Sequence, residues 1–514
     1  MQLLFQLPCF VAGQRMGRLI PMAACRLNSC AVWSLALASF FGLPTVPTVA
    51  QPAPTSELLP LSVADSVMLA LRNNRNIESA YLDRIIQRFN LKVAEDTFVP
   101  DLIIDSTVDV DNVGVRGPNT TTNNILFAPT VLGLVPTGAF YTFSWINSSS
   151  RVVDALDVPD NYSTAFEFSV TQPLLRGAGI RVNRAPVTLA RLDEEANQLQ
   201  LRSTVIDTIT SVVLAHRQVL LARGQEQIAR QALQRGQQLL EVTNALVAAG
   251  RLAEIEIVQA ESNLSLQELS LLAAENAADA ARLNLLDQLD IDTRTQIETT
   301  DQVAAEEVAI DAAALLPIAL ANRPDYQQAQ ISIESANIAV LLAKNNRLWD
   351  LDLIGSVSVG SAEPAIADVI PGLQFTDPTW RIALNLIIPI GDLTREQGEI
   401  AANVLLGQVE LATEDLHDSI DLAVRDGVRN VTSQWLQLEQ AQRSRELEER
   451  KLAAELEKLN LGLSSNFQVV TFENDLANSQ TNELNATINY LNALTQLDQT
   501  LGTTLETWQV GLTY

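Results

Sequence analysis

Val187-Thr188-Leu189-Ala190-Arg191-Leu192-Asp193-Glu194-Glu195 opens a stretch that runs without proline to Leu289 and folds back at Ala249-Gly250-Arg251. Apolar residues recur every seventh position on the way out: Leu192, Leu199, Ile206, Val213 and Leu220. They do so again on the way back: Ile257, Leu264, Leu271, Ala278 and Leu285. Seven residues fall short of two turns of a straight helix, so a helix carrying this repeat must supercoil around a neighbour to keep its seam buried. At ~1.5 Å per residue the outward leg is on the order of 95 Å long. A second hairpin of the same build occupies 393–501 and turns near Gly462. The predicted class is therefore α+β but mostly α, dominated by the two coiled hairpins 187–289 and 393–501.

Outside the hairpins, residues 1–50 contain no acid and three arginines, Arg15, Arg18 and Arg26. An apolar run from Ala31 to Leu43 follows, too short to span a bilayer, and Thr48-Val49-Ala50 offers a small-residue cleavage site. This segment reads as a secretory signal peptide, with Met16 or Met22 as alternative starts. All three cysteines, Cys9, Cys25 and Cys30, lie within it, so residues 51–514 hold no thiol. Without the three arginines the chain carries 31 basic residues against 61 acids, which argues against nucleic acid or anionic headgroups as partners. Residues 51–60, with three prolines, read as an extended leader.

The rest falls into two halves, 61–310 and 311–514. Ala70-Leu71-Arg72-Asn73 is echoed by Ala319-Leu320-Ala321-Asn322, and the register continues through Ala94/Ala343 to Asp101/Asp350 and Val108/Val357. A register held this long reads as an internal duplication. Each half is expected to run helix, β-segment (101–173 or 350–390), long helix, turn, long helix.

The β-segments alternate with period two. Leu102, Ile104, Val108 and Val110 fall on one face; Asp101, Asp105, Thr107, Asp109 and Asp111 fall on the other. Tyr141, Phe143 and Trp145, then Phe166 and Phe168, and later Ile382, Leu384 and Leu386 alternate likewise. A soluble antiparallel sheet would also alternate. The export signal, the aromatics and a second face expected to be wholly polar favour the wall of an outer-membrane barrel. One chain has too few strands to close around a channel, so several chains would share one barrel.

These features together resemble the TolC-like outer-membrane efflux family. The resemblance rests on Leu61-Ser62-Val63-Ala64-Asp65 leading to Ala70-Leu71-Arg72-Asn73-Asn74, and on Ala319-Leu320-Ala321-Asn322-Arg323-Pro324-Asp325. Gln172-Pro173-Leu174-Leu175-Arg176-Gly177 and Ile388-Pro389-Ile390-Gly391-Asp392 resemble the family's strand-to-helix junctions, where Pro173, Gly177, Pro389 and Gly391 bend the chain. The resemblance implies a homotrimer in the cell outer membrane projecting into the periplasm, each protomer giving four strands to a twelve-stranded barrel. It implies a passive exit duct for tripartite efflux or type I secretion, fed by an inner-membrane pump through a periplasmic adaptor. Gly250, Arg251, Leu252, Gly462, Leu463 and Ser464 would be the adaptor-contact tips. Glu256, Phe467, Gln468 and Thr471 fall where the family places its constriction, and neutral Gln468 and Thr471 leave Glu256 as its main acid. Asp101, Asp105, Asp109 and Asp111 are expected to face the lumen.

Leu126–Ile146, with the turn Pro136-Thr137-Gly138, departs from the family pattern as an additional hairpin that either extends the barrel or caps its mouth. No spacing of His216 or His417 fits a metal site or a nucleophile, and both read as helix-surface residues. No enzyme activity, cofactor or metal is expected. A periplasmic adaptor or a coiled-coil scaffold without a barrel is the alternative reading.

Overall fold

The computed structural model of the chain describes residues 58–114, 120–153, 159–461 and 463–512. The signal peptide read over 1–50, most of the leader, and Gly462 lie outside the described residues. The first half comprises strand β1 (Leu59–Leu61), helices α1 (Val63–Asn73) and α2 (Arg75–Asp96), strands β2 (Asp101–Val113), β3 (Thr120–Leu134), β4 (Phe140–Val152) and β5 (Asn161–Pro173), and helices α3 (Ile180–Asn183), α4 (Ala185–Ala248) and α5 (Ile255–Gln288). Strand β6 (Ile297–Thr299) completes the first half, and the second comprises α6 (Ala312–Asn322), α7 (Pro324–Asn346), β7 (Asp350–Glu363), α8 (Ile366–Val369), β8 (Thr379–Ile387), α9 (Leu393–Asn460), α10 (Asn466–Leu501) and α11 (Thr504–Thr507).

Local chemistry sets the helix starts. Ser62 and Asp65 form a reciprocal capping box on α1, each side chain accepting from the other's backbone N–H at 3.1 Å. Asp311 caps α6 by accepting from the Ala313 N–H. Pro186 sits in the first turn of α4, where no N–H is missed. The heptad seam of α4 is the spine of the molecule: Ile206, Ile209, Val212, Val213 and Val219 are fully buried. One stretch of that seam packs with Val67 and Ile77 of α1–α2; the next packs with Leu285, Leu286 and Leu289 at the end of α5. Ile420, Val424, Val431 and Leu438 of α9 close on Tyr490 and Leu497 of α10 in the same way. Among the described residues α4 is the one helix long and apolar enough to cross a membrane, but most of that apolar length is buried in this core.

Two expectations are corrected here. The segment 51–60 is not all leader, because Leu59–Leu61 is a strand paired in parallel with Ile297–Thr299. His216 is not on the helix surface: it is fully buried, Nε2 lying 3.3 Å from the Leu61 carbonyl and 3.7 Å from Asp301. Burial holds its imidazole below the ordinary value, so it stays neutral among those groups. His417 is half-buried, beside Asp418 and 6.4 Å from the Tyr326 ring.

The larger sheet has six strands in the order β2-β3-β4-β5-β7-β8, all antiparallel. The expected contribution of four strands is corrected to six, since the additional hairpin enters the sheet as β3 and β4 between β2 and β5. The pairing of β5 with β7 joins the two halves.

Candidate functional site

Successive cross-strand partners share a sheet face. Leu102, Val131, Phe143, Phe168, Val357 and Trp380 therefore form one apolar row across all six strands. Gly133, Tyr141, Val170, Gly355 and Ile382 form the row beside it. Trp145 stacks on Phe166 at 5.9 Å between ring centres, and Phe127 meets Trp145 edge-on. Leu102, Ile104, Val108, Val110, Trp380 and Ile382 are each more than 60% exposed, so a broad apolar surface faces outward, although Phe375 stacks on its Phe166 at 6.3 Å.

The opposite face carries the acids. Asp101, Asp105, Asp109 and Asp111 lie along β2, and the Asn124 amide donates to Asp109 at 2.9 Å and to Asp111 at 3.3 Å. Hydroxyl pairs continue this face across the sheet: Thr130 with Ser144 at 3.0 Å, Thr142 with Ser169 at 2.7 Å, Ser148 with Ser163 at 2.6 Å. It is not wholly polar as expected, because Ile103, Leu126 and Leu132 share it by register. Arg381, the partner of Ser356, is on it too.

The junctions are built by residues that bend and residues that bind. Pro173 ends β5 opposite Asp352, where its missing N–H costs no ladder bond. Gly177 and Gly391 adopt φ of 79° and 76°, a region closed to most side chains. Pro389 lies between β8 and α9, and Asp392 caps α9. Asp350 ties the two junctions together, accepting from Arg176 at 2.5 Å and Arg395 at 3.0 Å. In the sequence Asp350 stands out only as an echo of Asp101; its two arginines are far away along the chain, and only the fold brings them to it.

At the far end of the hairpins, Gly250 (φ 69°), Arg251 and Leu252 form the turn between α4 and α5. Leu463 and Ser464 lie between α9 and α10. The two ends meet: Asn466 Nδ2 donates to Thr243 Oγ1 at 2.7 Å, and Leu239 packs with Leu452, Leu459, Val469 and Leu476. Ser464 donates to Glu455 at 2.6 Å; this bond first, then Lys458, holds the Glu455 carboxyl below the usual range. Phe467 and Gln468 are exposed and Thr471 half-buried, its hydroxyl bonded to the Phe467 carbonyl. Val470 is half-buried against the apolar cluster. Glu256 is half-buried with Oε2 unpaired. Deeper in α10, burial pushes Glu473 up to about 7, with the charge of Arg235 pulling the other way. An isolated acid in a heptad gives no sequence signal of that burial. Among the described residues no cluster of His, Cys, Asp or Glu could hold a metal.

A family model described as outer membrane efflux protein matches residues 133–289. The chain is 27% identical over 276 residues to the pyoverdine export outer membrane protein OpmQ of Pseudomonas aeruginosa; the match covers 50% of this chain and 55% of that protein. The chain thus aligns with about half the length of that relative. Among solved structures, it superposes on the Campylobacter jejuni outer membrane channel CmeC with TM-score 0.66 at 14% identity, covering 86% of each chain. It superposes on CusC with TM-score 0.67 at 17% identity, covering 91% of this chain and 99% of that one. Over residues 133–289 the chain is thus similar in sequence to outer membrane efflux proteins, and its fold is that of the outer membrane channels CmeC and CusC.

Proposed function

We propose that this chain is one protomer of a trimeric channel-tunnel in the cell outer membrane. It would serve as a passive exit duct for substrates delivered by an inner-membrane pump through a periplasmic adaptor. The observation that carries the reading is the sheet: a broadly exposed apolar face, a largely polar opposite face, and two open edges, β2 and β8. In lipid such edges must be paired, and neighbouring copies can pair them. Exposed apolar residues on the helices, among them Ile85 and Phe89 on α2 and Leu266 and Leu269 on α5, offer seams for the same neighbours.

On this reading Asp101, Asp105, Asp109 and Asp111 face the lumen. Gly250–Leu252 and Gly462–Ser464 meet the adaptor, and Glu256, Phe467, Gln468 and Thr471 line the narrow end. The name of the Pseudomonas relative, for pyoverdine export, supports outward transport as the activity.

Mass measurement of the detergent-solubilised protein tests the assembly. Three chains are expected, in a complex that stays with the membrane through alkaline washing. A monodisperse monomer, or release by alkali without detergent, would end the reading.

A further inference from the structure

We propose that the β3–β4 hairpin is part of the channel wall, so that three chains close an eighteen-stranded barrel too wide to be the size filter. The inference rests on the trimeric-channel reading and fixes the bore of that channel. Six strands per chain, shared by three chains, make eighteen.

Three observations place the hairpin in the wall. Its strands are as long as those beside them, β3 with 15 residues and β4 with 13 against 13 for both β2 and β5. The apolar row Leu102–Val131–Phe143–Phe168–Val357–Trp380 crosses the hairpin without a break, so β3 and β4 present the same face as their neighbours. The turn between them is also anchored at the junction end of the sheet, away from the outer mouth. There the Gly179 N–H donates to the Thr137 carbonyl at 3.1 Å, and the Thr137 hydroxyl donates to Gln172 at the same distance. Gly138, at φ 98°, lies so close to this junction that a β-carbon would sit 2.3 Å from the Gly177 carbonyl oxygen.

The added strands come as a pair, which preserves closure. With six strands the two edges run antiparallel, and β8 of one copy can meet β2 of the next. Barrel diameter grows roughly linearly with strand number, so eighteen strands give a bore about half as wide again as twelve. The helices are not increased to match: each half still supplies one long hairpin, α4–α5 or α9–α10. Discrimination by size then falls to the helical tunnel, and the outer wall passes whatever the tunnel admits.

Residues 51–514 hold no cysteine, so introduced pairs are clean reporters. In the assembled complex, Ser148→Cys with Ser163→Cys (β4 to β5) and Asn112→Cys with Thr121→Cys (β2 to β3) should each oxidise within one chain. Asp101→Cys with Thr171→Cys, which would join β2 directly to β5, should not. A single Ser356→Cys on the polar face should then react from outside with a 1-kDa maleimide-polyethylene glycol within about twofold of the rate for a small maleimide. In a twelve-stranded bore the drop would be about tenfold or more. A trimer that forms the β2–β5 bond and fails to form the β4–β5 bond overturns the eighteen-stranded wall but leaves the channel standing. Strong exclusion of the large reagent in a correctly cross-linked trimer overturns the wide bore. A monomer overturns the channel reading as well.

Discussion

The two halves of this chain agree in their helices and disagree in their strands. α4 and α9 have 64 and 68 residues, and α5 and α10 have 34 and 36, whereas the first half places four strands in the sheet and the second places two. A helix in a coiled hairpin is matched turn by turn to its neighbours, so its length cannot drift alone. A sheet tolerates insertion provided that strands come in pairs and keep the alternation of faces. The same contrast holds for single residues. Asp350, on an internal strand, binds two arginines, while its echo Asp101, on the edge strand β2, is exposed.

The comparison can be broken most strongly at the turn that only the first half possesses. Gly138→Ala should destabilise the protein by about 2–4 kcal/mol, because it adds both left-handed strain and a clash with the Gly177 carbonyl. Gly355→Ala, in β7 with nothing within 4 Å of the new methyl, should change stability by less than about 0.5 kcal/mol. Urea midpoints in detergent measure both.

The paired aspartates come next. Asp350→Ala leaves Arg176 and the mostly buried Arg395 without their carboxylate and should cost about 2–3 kcal/mol, reduced from a fully buried pair by the exposure of Arg176. Asp101→Ala should be neutral to within about 0.5 kcal/mol in the same assay. Equal effects would mean that the halves do not differ at this position.

A third pair sharpens the contrast through pH. Glu473 is buried, while Glu261, its echo in the register that relates Gly250 to Gly462, is exposed. Glu473 is raised from 4.5 to about 7 in the folded state, so between those values the folded chain keeps a proton that the unfolded chain has released. Its contribution is fully present below pH 4.5 and is lost as pH rises through about 7, a change of about 1–3 kcal/mol. Glu473→Gln should flatten that fall in the urea midpoint; Glu261→Gln should leave it in place.

The smallest expected effect concerns ions. Counting on from Asp350 as from Asp101, the second half has Ile354, Ser358 and Gly360 where the first has Asp105, Asp109 and Asp111. Changing all four acids of β2 to asparagine should lower the cation-over-anion permeability ratio by about twofold, read from reversal potentials across a planar bilayer. An unchanged ratio would place the acids outside the conduction path.

Much of this architecture was legible because it is periodic. Seven-residue spacing marked both hairpins, and Gly250, with its left-handed φ, marks the turn of the first. Alternation marked the two faces of the strands, but it says nothing about which strands are neighbours. The place of β3 and β4 therefore depended on register, and on Thr137 reaching Gln172 across 35 positions. His216 looked like a surface residue because its burial is supplied by Leu61 and Asp301, more than 80 residues away on either side. Ile103 and Leu132 are hard to place on the acid face from sequence because the polar residues dominate its period-two pattern.

The small pair β1–β6 has a consequence for the order of folding. It joins Leu59 to Ile297 in parallel, and Arg223 reaches across to the Ile297 carbonyl. The intervening loop spans more than two hundred residues, so its closure entropy is large and little local contact offsets it in advance. Three residue pairs cannot drive such a closure; they can only form after α1, α4 and α5 have packed. The beginning of the described chain is therefore expected to be fastened late, as a latch on a packed half, with the neutral imidazole of His216 enclosed beneath it.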